Sequence, residues 1–459
     1  MPSRLSDRAI IIGLLLLNLA LKFSWLGVNE LSGDEPFTVY WSQRPLGELF
    51  AMLRTENNPP LYFLLIKAWS QLVPFIAAWL RMPSAAFSVL AVWPLFRLGE
   101  RLGGRVVGLT AALLFTCSNY HYGFAHEVRA YALFTVLATT GMWLVVRAAF
   151  KPDSGRNAML GLAAVNVGLV YTHFFGWLAI GVQLLCVFEV PELRPLRRRS
   201  LLGLAIPIAC FLPYAAIFFE RAGTSVTQGT WVEVPPLEEL YNMVWRWSNA
   251  PVLAVLFLLV IIVGIVRSKV RDMGMRIAVL WTFVPLLGMF VVSQWVPMFL
   301  DRYLVYAAPG FCLLAALSLK ALAQEQRVSI GLVALAVLGM GVTFTPWKDT
   351  GRHPSNVVKQ VNAWCMGNCS IQVVPRWYWL NYQAGDDLRV LRNDLSPLLN
   401  GEEEHPGVPD AQVQSAIVVD AGSELVDPRR AWFHELHARY PAVDSVEADH
   451  RVWVYRFHR

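Results

Sequence analysis

Long apolar stretches, separated by short polar segments, dominate the chain up to about residue 345. A helix needs roughly 20 apolar residues to cross the hydrocarbon core of a bilayer, and most of these stretches come close to that length. The stretches are continuous and do not alternate residue by residue, which favours membrane helices over a β-barrel. Residues 1–345 are therefore predicted to form an all-α polytopic membrane bundle.

Lysine and arginine residues beside the apolar stretches indicate the orientation of the predicted helices, because cytoplasmic loops are rich in them. Arg4 and Arg8 place the N-terminus in the cytoplasm. Residues 61–75 are interpreted as an interfacial helix, because a crossing there would carry the basic segment 97–105 to the outer face. About eleven crossings remain, and they leave the C-terminus outside. The predicted spans are 9–28, 81–98, 106–122, 130–148, 158–174, 177–190, 201–219, 251–266, 277–296, 304–322 and 328–345.

The more polar tail, residues 346–459, is interpreted as a small α/β extracytoplasmic domain. Cys365 and Cys369 lie in it, and no further Cys or His pair at metal-binding spacing is near them, so a disulfide in an oxidising compartment is the favoured interpretation. Period-two alternation and apolar runs predict strands and helical segments. The strands are Ser370–Val374, Ala416–Asp420 and Arg451–Phe457, and the helical segments lie around Trp377–Tyr382 and Arg430–Tyr440.

The composition supports the membrane assignment and excludes one class of partner. The 459 residues are 56% hydrophobic and 16% charged, whereas a soluble domain has about 25% charged residues. The net charge is +6, and the basic residues flank apolar runs, as topology determinants do. No nucleic-acid partner is therefore expected.

Ionisable residues with catalytic potential gather at the predicted outer ends of the spans. They are Asp34, Glu35, Glu127, Arg129, His173, Asp301 and Arg302. A carboxylate can accept a proton from a hydroxyl nucleophile, and arginines can hold a phosphate and stabilise the charge that develops as it leaves. Such a set at the lipid boundary indicates a site for a phosphorylated amphiphile.

Several motifs resemble those of known membrane enzymes. Asp34-Glu35, after the first apolar run, resembles the acidic loop motif of the GT-C membrane glycosyltransferases. Other segments resemble, in the same order, motifs of glycosyltransferase family 39, the dolichyl-phosphate-mannose-protein mannosyltransferase group. They are Asn58-Pro-Pro-Leu-Tyr-Phe-Leu-Leu, Arg81-Met-Pro-Ser, Arg97 to Gly108, Ser118-Asn-Tyr-His-Tyr, His126-Glu-Val-Arg-Ala-Tyr131, Thr172-His-Phe-Phe and Arg302-Tyr-Leu. The resemblance covers about residues 9–325, and Asn58 stands where the family often has His.

The resemblance implies a GT-C bundle that acts as an inverting glycosyltransferase. The donor would be a polyprenyl-phosphate-linked sugar, and the acceptor a hydroxyl of a protein, lipid or glycan on the outer face. Asp34 would be the general base, and Glu35 would be its neighbour in hydrogen bonding or would position the acceptor. Glu127 would orient the acceptor or the sugar, and Arg129 and Arg302 would contact the phosphate. Further substrate-binding side chains are expected at His126, Tyr131, His173 and Tyr303. Neither a metal nor another cofactor is expected.

A transporter or flippase of a lipid-linked sugar is the alternative function. Such proteins usually have repeated halves and ionisable groups near the membrane midplane. Here the ionisable residues cluster at the predicted outer ends, and no internal repeat is visible. The compact loops and short tail favour a bacterial inner membrane, with the site and the tail domain on the periplasmic side.

Overall fold

The structure is a computed structural model, and it describes residues 6–150, 155–227, 230, 232–268, 272–322, 325–365, 369–375, 378, 414–425 and 429–459. The chain divides into two compact units. The first comprises Met1–Leu26, Leu53–Pro74 and Ala78–Pro346, and the second comprises Gly27–Met52, Phe75–Ala77 and Trp347–Arg459. The domain boundary at residue 345 stays a prediction. The structure adds that the acidic loop belongs to the same unit as the C-terminal residues.

Helices make up most of the described chain. In chain order they are α1 (Asp7–Phe23), α2 (Glu35–Gln43), α3 (Leu46–Leu53), α4 (Leu61–Ser70), α5 (Ala77–Gly103), α6 (Arg105–Thr116), α7 (Asn119–Ala125), α8 (Tyr131–Phe150), α9 (Gly155–Thr172), α10 (Gly176–Glu189), α11 (Arg197–Thr227), α12 (Glu238–Trp247), α13 (Pro251–Arg267), α14 (Met273–Val292), α15 (Ala308–Leu322), α16 (Gln326–Val342), α17 (Pro354–Trp364) and α18 (Ala431–Arg439). Short 3₁₀ helices span Pro191–Leu196, Asp301–Ala307 and Ser423–Leu425.

The helices of the first unit follow the predicted apolar stretches. Five helical segments among the described residues are long and apolar enough to cross a membrane, and the bent pair α12–α13 would make a sixth. Shorter apolar helices correspond to several other predicted spans, including α6, α9, α10 and α16. The polytopic helical membrane architecture is thus confirmed, and the number of eleven crossings stays a prediction.

Helix α15 lies at the centre of the first unit, with nearly every side chain buried. It packs against α6, α13 and α14. Close approach to α13 depends on a small residue, because a Cβ atom added to Gly264 would lie 2.5 Å from the Cβ atom of Ser318. Small residues let membrane helices approach closely, and the van der Waals packing gained in this way holds such bundles together.

The predicted span 106–122 is broken into two helices. Helix α6 ends at Thr116, and α7 begins after Ser118. Ser118 has an extended backbone, and its hydroxyl oxygen accepts a hydrogen bond from the backbone N–H of His121 at 3.3 Å. This N-cap satisfies a donor that a new helix would leave free, and it therefore starts α7 in a new direction.

The predicted outer loop after span 201–219 also differs from expectation, because it contains helix α12. Helices α12 and α13 meet at an angle of 96°. Asn249 lies at this bend with φ of +66°, a left-handed conformation that asparagine tolerates better than most residues. Its side chain accepts from Asn119 N at 2.8 Å and donates to Cys117 O at 2.7 Å and Met340 O at 3.2 Å. The bend, the α6–α7 break and the end of α16 are thus tied together by one side chain.

A four-stranded sheet forms the core of the second unit. Its strands are β1 (Cys369–Val374), β2 (Ser415–Asp420), β3 (Ala442–Asp449) and β4 (Val452–His458), in the order β1-β2-β4-β3. Strands β1 and β2 are parallel, and the other pairs are antiparallel. Helix α18 covers one face with Trp432, Phe433 and Leu436.

Three predicted strands and the helical segment near 430–440 are confirmed. The sequence analysis missed β3, and it also missed helices α2, α3 and α17. Cys365 and Cys369 form the expected disulfide. The predicted helical segment around Trp377–Tyr382 lies, except for Tyr378, outside the described residues.

Candidate functional site

The bend between α7 and α8 carries several of the predicted site residues. Residues 126–130 form this bend, which is held at one backbone atom and at one side chain. The Oγ atom of Ser84, on α5, lies 3.4 Å from the carbonyl oxygen of Arg129 and 2.6 Å from the hydroxyl of Tyr62. The Nε2 atom of His126 lies 2.9 Å from the carbonyl oxygen of Lys22 on α1. Three other elements therefore fix the course of the bend.

The Arg129 side chain turns into the first unit and is only 8% exposed. Its guanidinium carbon lies 5.9 Å from the centre of the Tyr131 ring, within range of a cation–π interaction. Tyr131 is itself buried, and its ring contacts Phe124 at a centroid distance of 5.0 Å. Arg129 is therefore buried beside an aromatic ring.

A second bend, between α9 and α10, carries His173. Its ring is stacked on Phe134 of α8, with a centroid distance of 5.2 Å and an interplanar angle of 11°. The backbone N–H of Phe175 donates to His173 Nδ1 at 3.1 Å. The backbone of His173 is also bound, because its carbonyl accepts from Gly176 N at 2.8 Å. Stacking and hydrogen bonding together fix the orientation of the ring.

The 3₁₀ segment Asp301–Ala307 carries Arg302 and packs against α8. The Asp301 carboxylate accepts from the backbone N–H of Arg302 at 2.7 Å. The guanidinium carbon of Arg302 lies 5.8 Å from the centre of the Tyr303 ring. That ring in turn lies 5.3 Å from the ring of His173. The segment therefore brings Arg302 to the side of the second bend.

His173 is the point at which these elements meet. The positive charges of Arg129 and Arg302 both act on its ring, and the ring of Tyr131 lies 6.4 Å from it. We call Arg129, Tyr131, His173, Arg302 and Tyr303 the arginine–histidine cluster. The structure brings these five predicted residues together from three elements, although they span more than 170 positions of the sequence. Guanidinium groups form strong charge-assisted hydrogen bonds with phosphate, so two of them near one histidine ring suit the binding of an anion.

The other predicted residues of the first unit are placed differently. Glu127 is half-buried within the same bend as Arg129. His126 also lies in that bend, but its ring packs on Tyr122 at a centroid distance of 4.2 Å, and its Nε2 atom is bound to the carbonyl of Lys22. Substrate binding by His126 stays a prediction, and the contacts found for it hold α1 against the bend.

The sequence analysis did not single out Phe134, whose ring supports His173. A usable signal was present, because Phe134 lies three positions after Tyr131 on α8, and residues three apart share a helix face. It also overlooked Lys22, which is fully buried on α1. The Nζ atom of Lys22 lies 4.8 Å from the centre of the Tyr122 ring and donates to Thr116 O at 3.4 Å. Lys22 lies inside the predicted span 9–28, and a single lysine within an apolar run does not interrupt the pattern that predicts a span.

Asp34 and Glu35 lie in the second unit, at the start of α2. Asp34 is the N-cap residue of this helix, and it is half-buried. Gly33 precedes it with φ of +63°, a conformation that favours glycine. Glu35 is 4% exposed, and its carboxylate accepts from Ser32 N at 3.3 Å. Glu35 thereby closes the turn that presents Asp34.

Hydrogen bonds tie this acidic loop to the segment before α17. The Glu30 carboxylate accepts from Ser355 N at 2.9 Å and from Ser355 Oγ at 2.6 Å. The side-chain oxygen of Asn29 accepts from Thr350 N at 3.0 Å. The loop is therefore positioned by residues more than 300 positions away in the sequence.

Charged groups of the second unit also surround Tyr378. Burial raises the pKa of Tyr378, the Arg352 guanidinium opposes that rise, and the carboxylates of Asp449 and Asp34 add to it. A Cβ atom added to Gly33 would lie 3.0 Å from Nη1 of Arg352. Asp34 thus lies in a neighbourhood that holds a guanidinium and a phenol. Among the described residues, no three His, Cys, Asp or Glu side chains form a group that could hold a metal ion.

No protein-family model and no curated protein matches the sequence of the chain. Solved structures do match over nearly its whole length. Apo ArnT from Cupriavidus metallidurans aligns over 97% of this chain and 97% of its own, with a TM-score of 0.65 and 14% sequence identity. The same enzyme bound to undecaprenyl phosphate aligns over 98% of both chains, with a TM-score of 0.63 and 15% identity.

The chain has the GT-C fold.

A more distant structure shares this fold. The oligosaccharyltransferase AglB from Archaeoglobus fulgidus, in complex with an inhibitory peptide and a dolichol-phosphate, aligns over 90% of this chain and 69% of its own. The TM-score is 0.53 and the identity is 12%. The predicted resemblance to GT-C membrane glycosyltransferases is thus confirmed at the level of the fold. At these identities the GT-C fold is what the comparisons establish, and the roles of individual residues must be argued from their own surroundings.

Proposed function

We propose that the chain is a glycosyltransferase that moves a sugar from a polyprenyl-phosphate-linked donor to an acceptor hydroxyl. The observation that carries this proposal is the arginine–histidine cluster, in which the positive charges of Arg129 and Arg302 lie near the buried ring of His173. A lipid phosphate is an anion that must be bound beside the hydrocarbon core, and guanidinium groups in apolar surroundings suit it. ArnT, which has the same fold, binds undecaprenyl phosphate in one of its solved structures.

The proposed reaction is a single displacement with inversion at the anomeric carbon. Asp34 accepts the proton of the acceptor hydroxyl as the hydroxyl oxygen attacks. The bond between the anomeric carbon and the phosphate oxygen breaks, and its electron pair stays on that oxygen. Polyprenyl phosphate leaves, and Arg129 and Arg302 stabilise the negative charge that develops on it. Each residue then acts where the charge changes during the reaction.

The remaining predicted residues take supporting roles in this proposal. Glu35 positions Asp34, consistent with its burial and with its hydrogen bond to Ser32 N. Glu127 orients the acceptor or the sugar from the bend that also carries Arg129. The prenyl chain lies along the apolar helix surfaces, which expose large side chains such as Leu212, Phe219 and Val252. The sugar is a hexose or a pentose, and the acceptor belongs to a protein, a lipid or a glycan.

The proposed location is a bacterial inner membrane, with the active site and the C-terminal residues on the periplasmic side. The placement of lysine and arginine beside the apolar stretches supports this orientation. The disulfide between Cys365 and Cys369 is consistent with it, because disulfides persist in oxidising compartments such as the periplasm.

Purified protein in lipid vesicles tests the proposal directly. The vesicles contain undecaprenyl-phosphate-linked sugars, and candidate acceptors are added outside. We expect acceptor-dependent release of undecaprenyl phosphate and its loss in Asp34→Asn. Movement of the donor between leaflets, without sugar transfer to any acceptor, would instead support the alternative flippase. Transfer that Asp34→Asn leaves intact would contradict the mechanism.

A further inference from the structure

The hydrogen bonding of His173 fixes which of its ring nitrogens carries the proton. The backbone N–H of Phe175 donates to Nδ1 at 3.1 Å, so Nδ1 acts as an acceptor and carries no proton. An imidazolium ion has a proton on both nitrogens and could not accept there. The ring is therefore neutral, and its single proton lies on Nε2.

This Nε2–H group is buried and has no acceptor in the described part of the chain. His173 is 3% exposed, and its Nε2 atom has no hydrogen-bond partner among the described residues. A buried donor without a partner costs free energy, so such groups are rare unless a ligand satisfies them. The two guanidinium groups of the arginine–histidine cluster act on the same ring. A ligand that completes this site is therefore expected to offer an acceptor oxygen, as the phosphate of the proposed donor does.

The half-buried His126 of the same unit has a different hydrogen-bonding arrangement. The Nε2 atom of His126 lies 2.9 Å from the carbonyl oxygen of Lys22 and is thereby satisfied within the protein. In His173, by contrast, the backbone N–H of Phe175 is bonded to Nδ1 and not to Nε2. The protein thus orients the ring of His173 while leaving its proton available.

We propose that His173 Nε2–H donates a hydrogen bond to the phosphate of the lipid-linked donor. This inference rests on the proposed function and deepens it, because it assigns a neutral third contact beside the two arginines. A tetrahedral phosphate offers oxygens in several directions, and a fixed N–H selects one of them. The neutral ring adds a directed hydrogen bond without adding a third positive charge to the cluster.

Three substitutions of one residue test the assignment to a single atom. Glutamine places an amide N–H near the position of Nε2, whereas asparagine reaches only the position of Nδ1. Leucine removes both. We expect His173→Gln to bind undecaprenyl phosphate within about threefold of wild type, and His173→Asn and His173→Leu to bind about tenfold or more weakly. Binding is measured by titrating undecaprenyl phosphate into the full chain in nanodiscs.

Further measurements distinguish a specific loss of undecaprenyl phosphate binding from a folding defect. Size-exclusion profiles and thermal unfolding are compared for all variants, with His434→Gln on the exposed face of α18 as a matched control. In protein labelled with ¹⁵N-histidine, undecaprenyl phosphate should shift the His173 Nε2 signal while the Nδ1 signal remains that of an unprotonated nitrogen. Inorganic phosphate, used in parallel, shows whether the prenyl chain contributes to the site.

Each outcome decides a different claim. Equal binding by His173→Gln and His173→Asn, or wild-type binding by His173→Leu, would overturn the assignment of Nε2. If wild type itself did not bind undecaprenyl phosphate, the proposed function would fail together with this inference. If wild type bound it and Arg129→Gln weakened that binding, but no His173 variant did, only the role of His173 would be wrong.

Discussion

The arginine–histidine cluster and the acidic loop hold their charged groups by different means. In the cluster, Arg129 and His173 are buried among aromatic rings, and stacking on Phe134 sets the geometry. In the acidic loop, Asp34 is half-buried, and hydrogen bonds from Ser355 to Glu30 hold the turn. The cluster is therefore positioned by ring packing and hydrogen bonds, and the loop mainly by partly buried hydrogen bonds.

This difference fits two different tasks. Binding an anionic headgroup gains from poor screening, since electrostatic attraction is stronger where water is excluded. A general base must receive a proton, release it to solvent and admit an acceptor, which requires partial exposure. We infer that anion binding belongs to the arginine–histidine cluster and proton acceptance to the acidic loop.

The strongest test of this division is the replacement of Asp34. Asp34→Asn keeps the size of the side chain but removes its ability to take a proton. We expect sugar transfer in vesicles to fall by at least about 100-fold, with undecaprenyl phosphate binding unchanged. Glu48→Gln, an exposed acid on α3 of the same unit, is the matched control and should transfer normally. Loss of binding in Asp34→Asn would show that the two tasks are not separate.

The cluster is tested by removing one guanidinium at a time. Arg129→Gln and Arg302→Gln should each weaken undecaprenyl phosphate binding by about 10- to 100-fold, because charge-assisted hydrogen bonds contribute that much. Arg327→Gln, at the exposed start of α16, removes the same charge from a site outside the cluster. Binding is measured in nanodiscs at two salt concentrations. If Arg327→Gln lowered the affinity for undecaprenyl phosphate equally, the binding would reflect the overall positive charge of the protein and not a specific site.

A smaller effect is expected when the acidic loop loses its tie to the segment before α17. Glu30→Gln and Ser355→Ala each remove part of a charge-assisted pair of hydrogen bonds. Transfer should fall about three- to tenfold, and donor binding should stay the same, because Asp34 would be presented less uniformly. Ser445→Ala on the exposed edge strand β3 is the control. Equal transfer by Ser355→Ala and Ser445→Ala would show that this tie does not position Asp34.

The smallest effect on chemistry should come from Asn249, which ties the bend of the first unit together. Asn249→Ala removes four hydrogen bonds and strains a backbone with φ of +66°, so the cost in stability should be about 2–4 kcal/mol. Asn249→Gly should avoid the backbone strain but still lose the hydrogen bonds, so it should destabilise the protein less than Asn249→Ala. Thermal unfolding in detergent measures both. Transfer per folded molecule should change little, and a large loss there would link the bend to the site.

The sequence could predict the elements whose pattern is local. Apolar runs located most of the long helices of the first unit and strand β2, and alternation located β4. Strand β3 was missed because an edge strand exposes much of its surface, and Ala442–Asp449 accordingly carries polar residues at half of its positions. Helix α12 was missed because amphipathic helices lack the continuous apolar run that marked the spans.

The candidate site was only partly predictable for a related reason. Motifs identified Arg129, His173 and Arg302 one by one. No sequence pattern could show that both arginines lie near the ring of His173. The stacking of His173 on Phe134, and the tie between Glu30 and Ser355, depend on contacts between distant parts of the chain. Tertiary packing decides such contacts, and local periodicity carries no record of them.

One measurement tests the division of tasks most directly: the dependence of sugar transfer on donor concentration, recorded in parallel for wild type, Asp34→Asn and Arg129→Gln. The account predicts that Arg129→Gln needs about 10- to 100-fold more donor for half-maximal transfer, whereas Asp34→Asn fails to transfer at any donor concentration despite binding the lipid. Transfer by Asp34→Asn at the wild-type rate, or an unchanged donor requirement in Arg129→Gln, would contradict it.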